Sequence, residues 1–117
     1  MIRLRNTNTV SISSGTIAAS GSYTTDAYDC QELKGFFSLQ WTVTGDGTMK
    51  AEVLVSNDGS TFLELDPDIT TGQTKSTGTS GTNMVDFDVT SCNQMKLKFT
   101  ETGTSNSITV VARLRVF

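Results

Sequence analysis

The sequence contains no histidine among its 117 residues. Without histidine, the Ser-His-Asp and Cys-His arrangements of nucleophilic enzymes are excluded. A zinc site needs about four ligands, and the only two cysteines, Cys30 and Cys92, cannot supply a usual set. From this inventory we expect no catalytic residues, no cofactor and no metal, and hence no enzyme.

Long apolar runs and a strong excess of charge are also missing. Nine basic and twelve acidic residues are spread along the chain, so there is no basic footprint for nucleic acid. No apolar run approaches the length that spans a membrane, and the N-terminus has no apolar signal core. We therefore expect synthesis and folding in a cytoplasm, with no nucleic-acid and no membrane partner.

The two cysteines stand in similar phrases, Cys30-Gln-Glu-Leu-Lys and Cys92-Asn-Gln-Met-Lys, each before a predicted strand. Two related segments of a sandwich can lie side by side, which would make a disulfide geometrically feasible. The alternative is a pair of small, partly buried thiols that stay reduced. The sequence favours the reduced thiols, because nothing marks export.

Threonine, serine and glycine are abundant, and they accompany alternating apolar residues, which is typical of an all-β chain. The clearest stretch runs from Gly35 to Leu65. It predicts a meander of three strands joined by two tight turns, Gly45-Asp46-Gly47 and Asn57-Asp58-Gly59. These turn residues accept the positive φ that short hairpin loops require.

Period-two alternation also predicts the core. We expect one face of five strands to be buried together: Phe37, Leu39, Trp41, Val53, Val55, Phe87, Leu97, Phe99, Val110 and Leu114. With the flanking segments, the pattern predicts about eight strands. It therefore favours a two-sheet antiparallel β-sandwich of jelly-roll or related Greek-key topology, without specifying the strand order.

The N-terminal segment, residues 1–9, is predicted as a short strand or an arm. A polar run, Asn6 to Thr9, follows it like a flexible joint. An arm can pair with the sheet edge of a neighbouring copy, whereas an edge strand pairs within its own sheet. Arg-Leu-Arg phrases lie near both ends of the chain; they form a basic patch if the terminal strands adjoin, or otherwise a charge-guarded edge. The candidate oligomer or partner contacts are Ile2, Arg3, Leu4, Arg5, Arg113 and Arg115.

The remaining residues, 10–117, are predicted as one sandwich domain. Ser13-Ser14-Gly15 is predicted to break an early strand. Residues 69–83 contain one apolar side chain, Ile69. We expect this segment to form a long, mobile surface loop.

Three polar groupings suggest chemistry, and each has a simpler interpretation. Asp66 and Asp68 would have to face each other at a defined separation to act as a glycosidase pair, whereas Asp-Pro-Asp favours a turn. Asn57 and Asp58 can offer oxygen ligands to Ca²⁺, yet Asn-Asp-Gly is a sufficient turn signal. We expect cross-strand ion pairs between two neighbouring strands, which would join Asp86 and Asp88 to Lys96 and Lys98.

Two phrases, Glu32 to Trp41 and Val53 to Phe62, resemble small β-sandwich virion proteins encoded among the structural genes of tailed bacteriophages. Met95 to Thr104 and then Ile108 to Val116 are similar to the same group. The resemblance implies a capsid auxiliary (decoration or cement) protein, or another head or tail structural protein. It further implies a homo-oligomer, such as a trimer, docked on the major capsid protein lattice, located in the virion after synthesis in the host cytoplasm.

A second function class fits the same residues. A carbohydrate-binding or receptor-binding β-sandwich module of a phage tail or surface protein would use exposed aromatics such as Tyr23, Tyr28 or Phe62. An enzyme is the third class, and the missing catalytic set argues against it.

Overall fold

The computed structural model describes residues 1–5, 9–31, 36–64, 80–88 and 93–116. Within these ranges the chain has ten strands and no helix, so the predicted all-β class is confirmed. The strands are β1 (Ile2–Arg3), β2 (Thr9–Ile17), β3 (Ser22–Thr24), β4 (Tyr28–Asp29), β5 (Phe36–Gly45), β6 (Met49–Ser56), β7 (Leu63–Glu64), β8 (Ser80–Asp88), β9 (Gln94–Glu101) and β10 (Ile108–Val116). The count exceeds the predicted eight because strands of two or three residues are too short to show a period.

The strands form two sheets, and the pairing is antiparallel except between β1 and β4, which are parallel. The first sheet has the order β1-β4-β9-β6-β7, with β3 also paired to β9. The second sheet has the order β2-β10-β5-β8. Apolar side chains of both sheets share one buried core, so the predicted sandwich is confirmed.

The predicted three-strand meander is wrong in its first half. β5 lies between β10 and β8 in the four-stranded sheet, whereas β6 lies between β9 and β7 in the other. The turn at Gly45-Asp46-Gly47 therefore carries the chain across the sandwich, and only β6 and β7 form a predicted hairpin. Alternation cannot separate these cases, because a strand buries the same face whether the next strand lies beside it or across the core.

The predicted break at Ser13-Ser14-Gly15 is instead a β-bulge within β2. The register against β10 shifts so that two residues of β2, Ser14 and Gly15, lie opposite Val110. Gly15 has a φ of 66°, which glycine adopts without steric cost. The Val110 N–H donates to the Ser14 hydroxyl at 2.9 Å, so the ladder continues through the irregularity.

The predicted core is confirmed, with Val55 partly buried and every other predicted member buried. Phe37 of β5 stacks on Phe87 of β8, with ring centroids 5.4 Å apart. Trp41 is 1% exposed. Its indole Nε1 is buried and has no hydrogen-bond partner among the described residues, so the desolvation of this donor is uncompensated.

The N-terminal segment pairs within its own sheet, which is one of the two predicted alternatives. β1 lies beside β4, and the Leu4 N–H donates to the Asp29 carbonyl at 2.8 Å. Leu4 is fully buried. Residues 6–8, the predicted joint, lie outside the described residues.

The predicted loop at 69–83 extends too far, because β8 already begins at Ser80, opposite Thr44. A backbone ladder needs no apolar side chains, so the polar sequence of residues 80–83 hid this part of the strand. Residues 65–79, which include Asp66 and Asp68, lie outside the described part of the chain, and so does Cys92. Cys30 is buried, with its Sγ 3.7 Å from the Tyr28 carbonyl.

The buried carboxylate of Glu101 connects several loops at one end of the sandwich. It accepts backbone N–H groups from three loops: Thr48 at 2.9 Å, Ser20 at 3.1 Å, Gly103 at 2.6 Å and Thr104 at 2.8 Å. These hydrogen bonds, that of Thr48 foremost, lower the pKa of Glu101 to about 2. Ser20 and Thr104 have φ values of 61° and 69°, so the carboxylate holds two loops in conformations that L-residues seldom adopt.

Candidate functional site

The six candidate contact residues divide between the two sheets. β1, with Ile2 and Arg3, lies at the edge of the six-stranded sheet, whereas Arg113 and Arg115 lie on β10 inside the four-stranded sheet. The terminal strands therefore do not pair, and the condition for a joint basic patch is not met. The charge-guarded edge is also wrong for β10, because this strand has β2 on one side and β5 on the other.

The N-terminal members of the set differ in their accessibility. Ile2 and Arg5 are exposed, but Leu4 is buried and can reach a partner only if β1 leaves its sheet. Arg3 Nε lies 3.1 Å from Asp29 Oδ2. A hydrogen bond from the Gln31 N–H, and secondarily the one from Arg3, lowers the pKa of Asp29.

Arg113 and Arg115 belong to a broad accessible surface, which we call the outer face, formed by the outward side chains of the four-stranded sheet. The strand register arranges these side chains in rows across the sheet. One row contains Ser11, Arg113, Gln40 and Met84, the next contains Thr9, Arg115, Ser38 and Asp86, and a third contains Ser13, Val111 and Thr42. All of them except Ser38 are exposed.

A shallow depression of about 250 Å³ lies between β5 and β10 on the outer face. It is lined by Gln40, Trp41, Thr42, Val111, Ala112 and Arg113. An amide, a hydroxyl and a guanidinium group supply hydrogen-bond donors, and Val111, 53% exposed, supplies an apolar surface. Such a mixture is usual in ligand sites, although their volumes are about 300–1,000 Å³, so this depression would hold only part of a larger ligand.

No local pattern in the sequence predicts a functional role for Gln40, Thr42, Val111 or Met84. The polar alternation of β5 indicates that one of its faces is wet or in an interface, which includes Gln40 and Thr42. Their convergence with Arg113 depends on the pairing of β5 with β10, and no local pattern specifies that pairing.

The aromatic residues predicted for glycan stacking offer little free ring surface. Tyr28 is buried opposite Met95, and this burial raises the pKa of its hydroxyl, so its prediction as an exposed aromatic is wrong. Tyr23 is partly buried against the core. Phe62 is half-buried, and the Lys96 ammonium lies 4.1 Å from its ring centroid.

The predicted ion pairs between Asp86 or Asp88 and Lys96 or Lys98 are wrong, because β8 and β9 belong to different sheets. The alternation of charge along each strand showed only which side chains point outward.

Lys98 instead lies opposite Glu52 on β6. Glu52 is buried, and burial and then the neighbouring Glu64 raise its pKa. Lys50, with its Nζ 3.7 Å from Glu52 Oε1, opposes that shift.

The Asn57-Asp58-Gly59 segment is a structural turn. Asp58 Oδ1 accepts the N–H groups of Thr61 at 2.7 Å and Ser60 at 2.8 Å, and the Ser56 hydroxyl at 2.9 Å. These bonds, with Thr61 first, lower the pKa of Asp58 to about 2. The Asn93 N–H donates to Asn57 Oδ1 at 3.2 Å, so both predicted Ca²⁺ ligands have partners within the protein.

The described residues offer neither a group of metal ligands nor a membrane-spanning helix. These residues contain no group of three or more His, Cys, Asp or Glu side chains that could hold a metal ion. They also contain no helix of the length and apolar character needed to cross a membrane.

No protein-family model matches the sequence, and no curated protein matches it either. Among solved structures, the chain is similar to part of the enzymatically active domain of bacteriophage CBA120 tailspike protein 4, with a TM-score of 0.58, 7% identity, and coverage of 97% of this chain and 18% of that chain. It is also similar to a Yersinia pseudotuberculosis-derived mitogen, with a TM-score of 0.51, 13% identity, and coverage of 95% and 87%. A family 16 carbohydrate-binding module has a TM-score of 0.49 at 8% identity, with coverage of 81% and 70%.

These likenesses bear on the fold, and a place in the head or the tail of a phage stays a prediction. The chain shares its fold with the mitogen and with part of the tailspike, over 95% and 97% of its length. None of the three is a capsid decoration protein. At these identities the likeness concerns the fold.

Proposed function

We propose that the chain is a non-enzymatic recognition module that binds carbohydrate on its outer face, as a component of a phage tail or another surface protein. The observation that carries the proposal is the depression between β5 and β10, where donors of Gln40 and Arg113 lie beside the exposed Val111. The fold likeness to a domain of a phage tailspike supports a place in a tail or surface protein rather than capsid decoration.

The arrangement suits a sugar because each part of a sugar ring finds a matching group. Sugar hydroxyls are good hydrogen-bond acceptors for the Gln40 amide and the Arg113 guanidinium. The C–H face of the ring can lie against Val111, which replaces the aromatic platform that the sequence analysis expected. Asp58 and Glu101 direct their carboxylates to backbone N–H groups, so neither is proposed as a catalytic group.

A glycan array with the purified chain tests this proposal. We expect a defined subset of glycans to bind, and expect Gln40→Ala or Arg113→Ala to remove the signal while the far-ultraviolet circular dichroism stays unchanged. Arg5→Ala is the matched control, because it removes the same charge from an exposed residue of the N-terminal segment. An array without any signal, or signals that survive both outer-face substitutions, would refute the proposal.

A protein partner is the second candidate for the same face. Met84 and Val111 are 58% and 53% exposed, and apolar side chains of this kind can be covered by another protein. Homo-oligomer formation, for example as a trimer, and docking on a major capsid protein stay predictions of the phage resemblance. Light scattering after size exclusion tests the first, and co-sedimentation with capsids that lack the chain tests the second.

A further inference from the structure

We infer that the carbohydrate recognised by the outer face carries a carboxylate, as uronic and sialic acids do; this inference rests on the proposed function. Among the six residues that line the depression, Arg113 is the only charged one. The lining includes no carboxylate. It therefore presents a cation and neutral donors, which together fit a ligand that is rich in acceptors and negatively charged.

The position of Arg113 suits a carboxylate. It lies opposite Gln40 on β5 and opposite Ser11 on β2, and all three side chains are exposed. Among the described residues Arg113 forms no ion pair. A guanidinium group can donate two parallel hydrogen bonds to one carboxylate, which makes arginine the preferred residue for recognising this group.

Among the described side chains, the other charges on the outer face lie away from the depression. Arg115 lies two residues beyond Arg113 on the same face of β10. With the usual rise of a strand, the two residues are about 7 Å apart. Asp86 lies in the same row as Arg115 but two strands away. With the usual spacing of neighbouring strands, Asp86 is about 10 Å from Arg115. Its row lies on the opposite side of Arg113 from Val111, so the acidic group is away from the depression. The protein as a whole has a net charge of −3, which means that attraction for an anion must be local.

The apolar neighbours distinguish a sugar acid from a small inorganic anion. A phosphate or sulfate ion would use Arg113 alone. A sugar carboxylate can place its charge on Arg113, its hydroxyls on Gln40 and its ring on Val111, so that it uses the whole lining. We therefore assign the site to an acidic glycan rather than to a free anion.

The test uses the full chain and calorimetric titration with four probes: a galacturonic acid hexamer, a trisaccharide that ends in sialic acid, and the neutral methyl ester of each. We expect at least one acid to bind at least tenfold more tightly than its ester. Arg113→Gln should weaken binding of that acid by about ten- to a hundredfold, leave binding of the ester unchanged, and so make the two probes equal. Arg5→Gln, the charge-matched control, should change neither affinity. Arg113→Lys keeps the charge but cannot donate two parallel hydrogen bonds from one planar group, so it should give an intermediate loss of affinity. This variant also serves if the glutamine variant does not fold.

Each contrary result has a distinct meaning. If an acid and its ester bind equally well, the ligand is not recognised by its carboxylate; the inference is then wrong while the proposed function stands. Binding confined to sulfated glycans on the array would likewise overturn the assignment of a carboxylate. If neither acidic nor neutral glycans bind, the proposed function fails together with the inference.

Discussion

Trp41→Ala should cost about 3–5 kcal/mol of unfolding free energy, because it removes a large, fully buried side chain and leaves a cavity. Trp41 is 1% exposed and lies on β5, which has β10 on one side and β8 on the other. For a domain of this size, each kcal/mol lowers the unfolding midpoint by roughly 3–6 °C, so Tm should fall by roughly 10–30 °C.

Trp41→Phe separates the contribution of core packing from the cost of the unpaired indole N–H. Phenylalanine keeps an aromatic ring in the core but removes the indole N–H, which has no partner among the described residues. A buried donor without a partner costs about 1–3 kcal/mol, so its removal should offset much of the lost packing. We expect a net cost of at most about 2 kcal/mol, well below that of the alanine variant.

Urea unfolding followed by circular dichroism is the suitable assay, because Trp41 is the only tryptophan and both variants lose its fluorescence. Leu63→Ala, at a side chain that is 64% exposed, is the control and should stay within about 0.5 kcal/mol of the unsubstituted chain. A phenylalanine variant as unstable as the alanine variant would show that the donor is satisfied. An alanine variant that loses less than about 1 kcal/mol would contradict the burial of Trp41 itself.

Three further predictions concern the other structural features. Glu101→Gln should lower Tm at pH 7 and flatten the pH dependence of Tm. The folded pKa of about 2 lies below the ordinary 4.5, so the carboxylate stabilises the fold fully above pH 4.5 and less as the pH falls towards 2. A variant whose Tm falls with acid as steeply as that of the unsubstituted chain, by scanning calorimetry, would contradict this. Glu52→Gln should raise Tm at pH 7. The pKa of Glu52 is raised in the folded state, so stability that is present at low pH is lost as the pH rises through the folded pKa. The gain in Tm should vanish near pH 4, and a gain that persists at that pH would contradict this explanation. Deletion of residues 1–8 should lower Tm, since the buried Leu4 is lost. The mass measured by light scattering should fall only by the mass of the deleted residues, so that the number of subunits stays the same. Loss of an oligomer at unchanged Tm would show that the segment is an exchanged arm.

Which residues are buried was predictable from the sequence, whereas the identity of strand neighbours was not. Phe37, Leu39 and Trp41 carry their burial in the alternation itself, because the side-chain period of a strand is two. The same alternation is compatible with β6 beside β5 or across the core from it, and the structure has the second arrangement. Burial is encoded locally, but pairing depends on residues far away along the chain.

The same difference between local pattern and long-range pairing explains which residues of the site were predictable. The sequence pattern predicted Arg113 and Arg115 as contact residues together with Arg3 and Arg5, because both pairs occur in an Arg-Leu-Arg phrase. Gln40 became part of the site only through its register with Arg113. The Ser14–Gly15 bulge was invisible for a related reason: a serine and a glycine that keep a ladder intact have the same local signal as a turn.

The place of β10 has a consequence for how the chain folds. It comes last among the described strands, yet it pairs with β2 from near the N-terminus and with β5 from the middle. Neither β2 nor β5 can acquire this neighbour before a long intervening segment is closed into a loop, and such closure costs entropy before any packing compensates. Folding should therefore be slow for a domain of this size. Until β10 arrives, the facing edges of β2 and β5 expose unpaired backbone groups, and intermolecular strand pairing is the main hazard on the folding route.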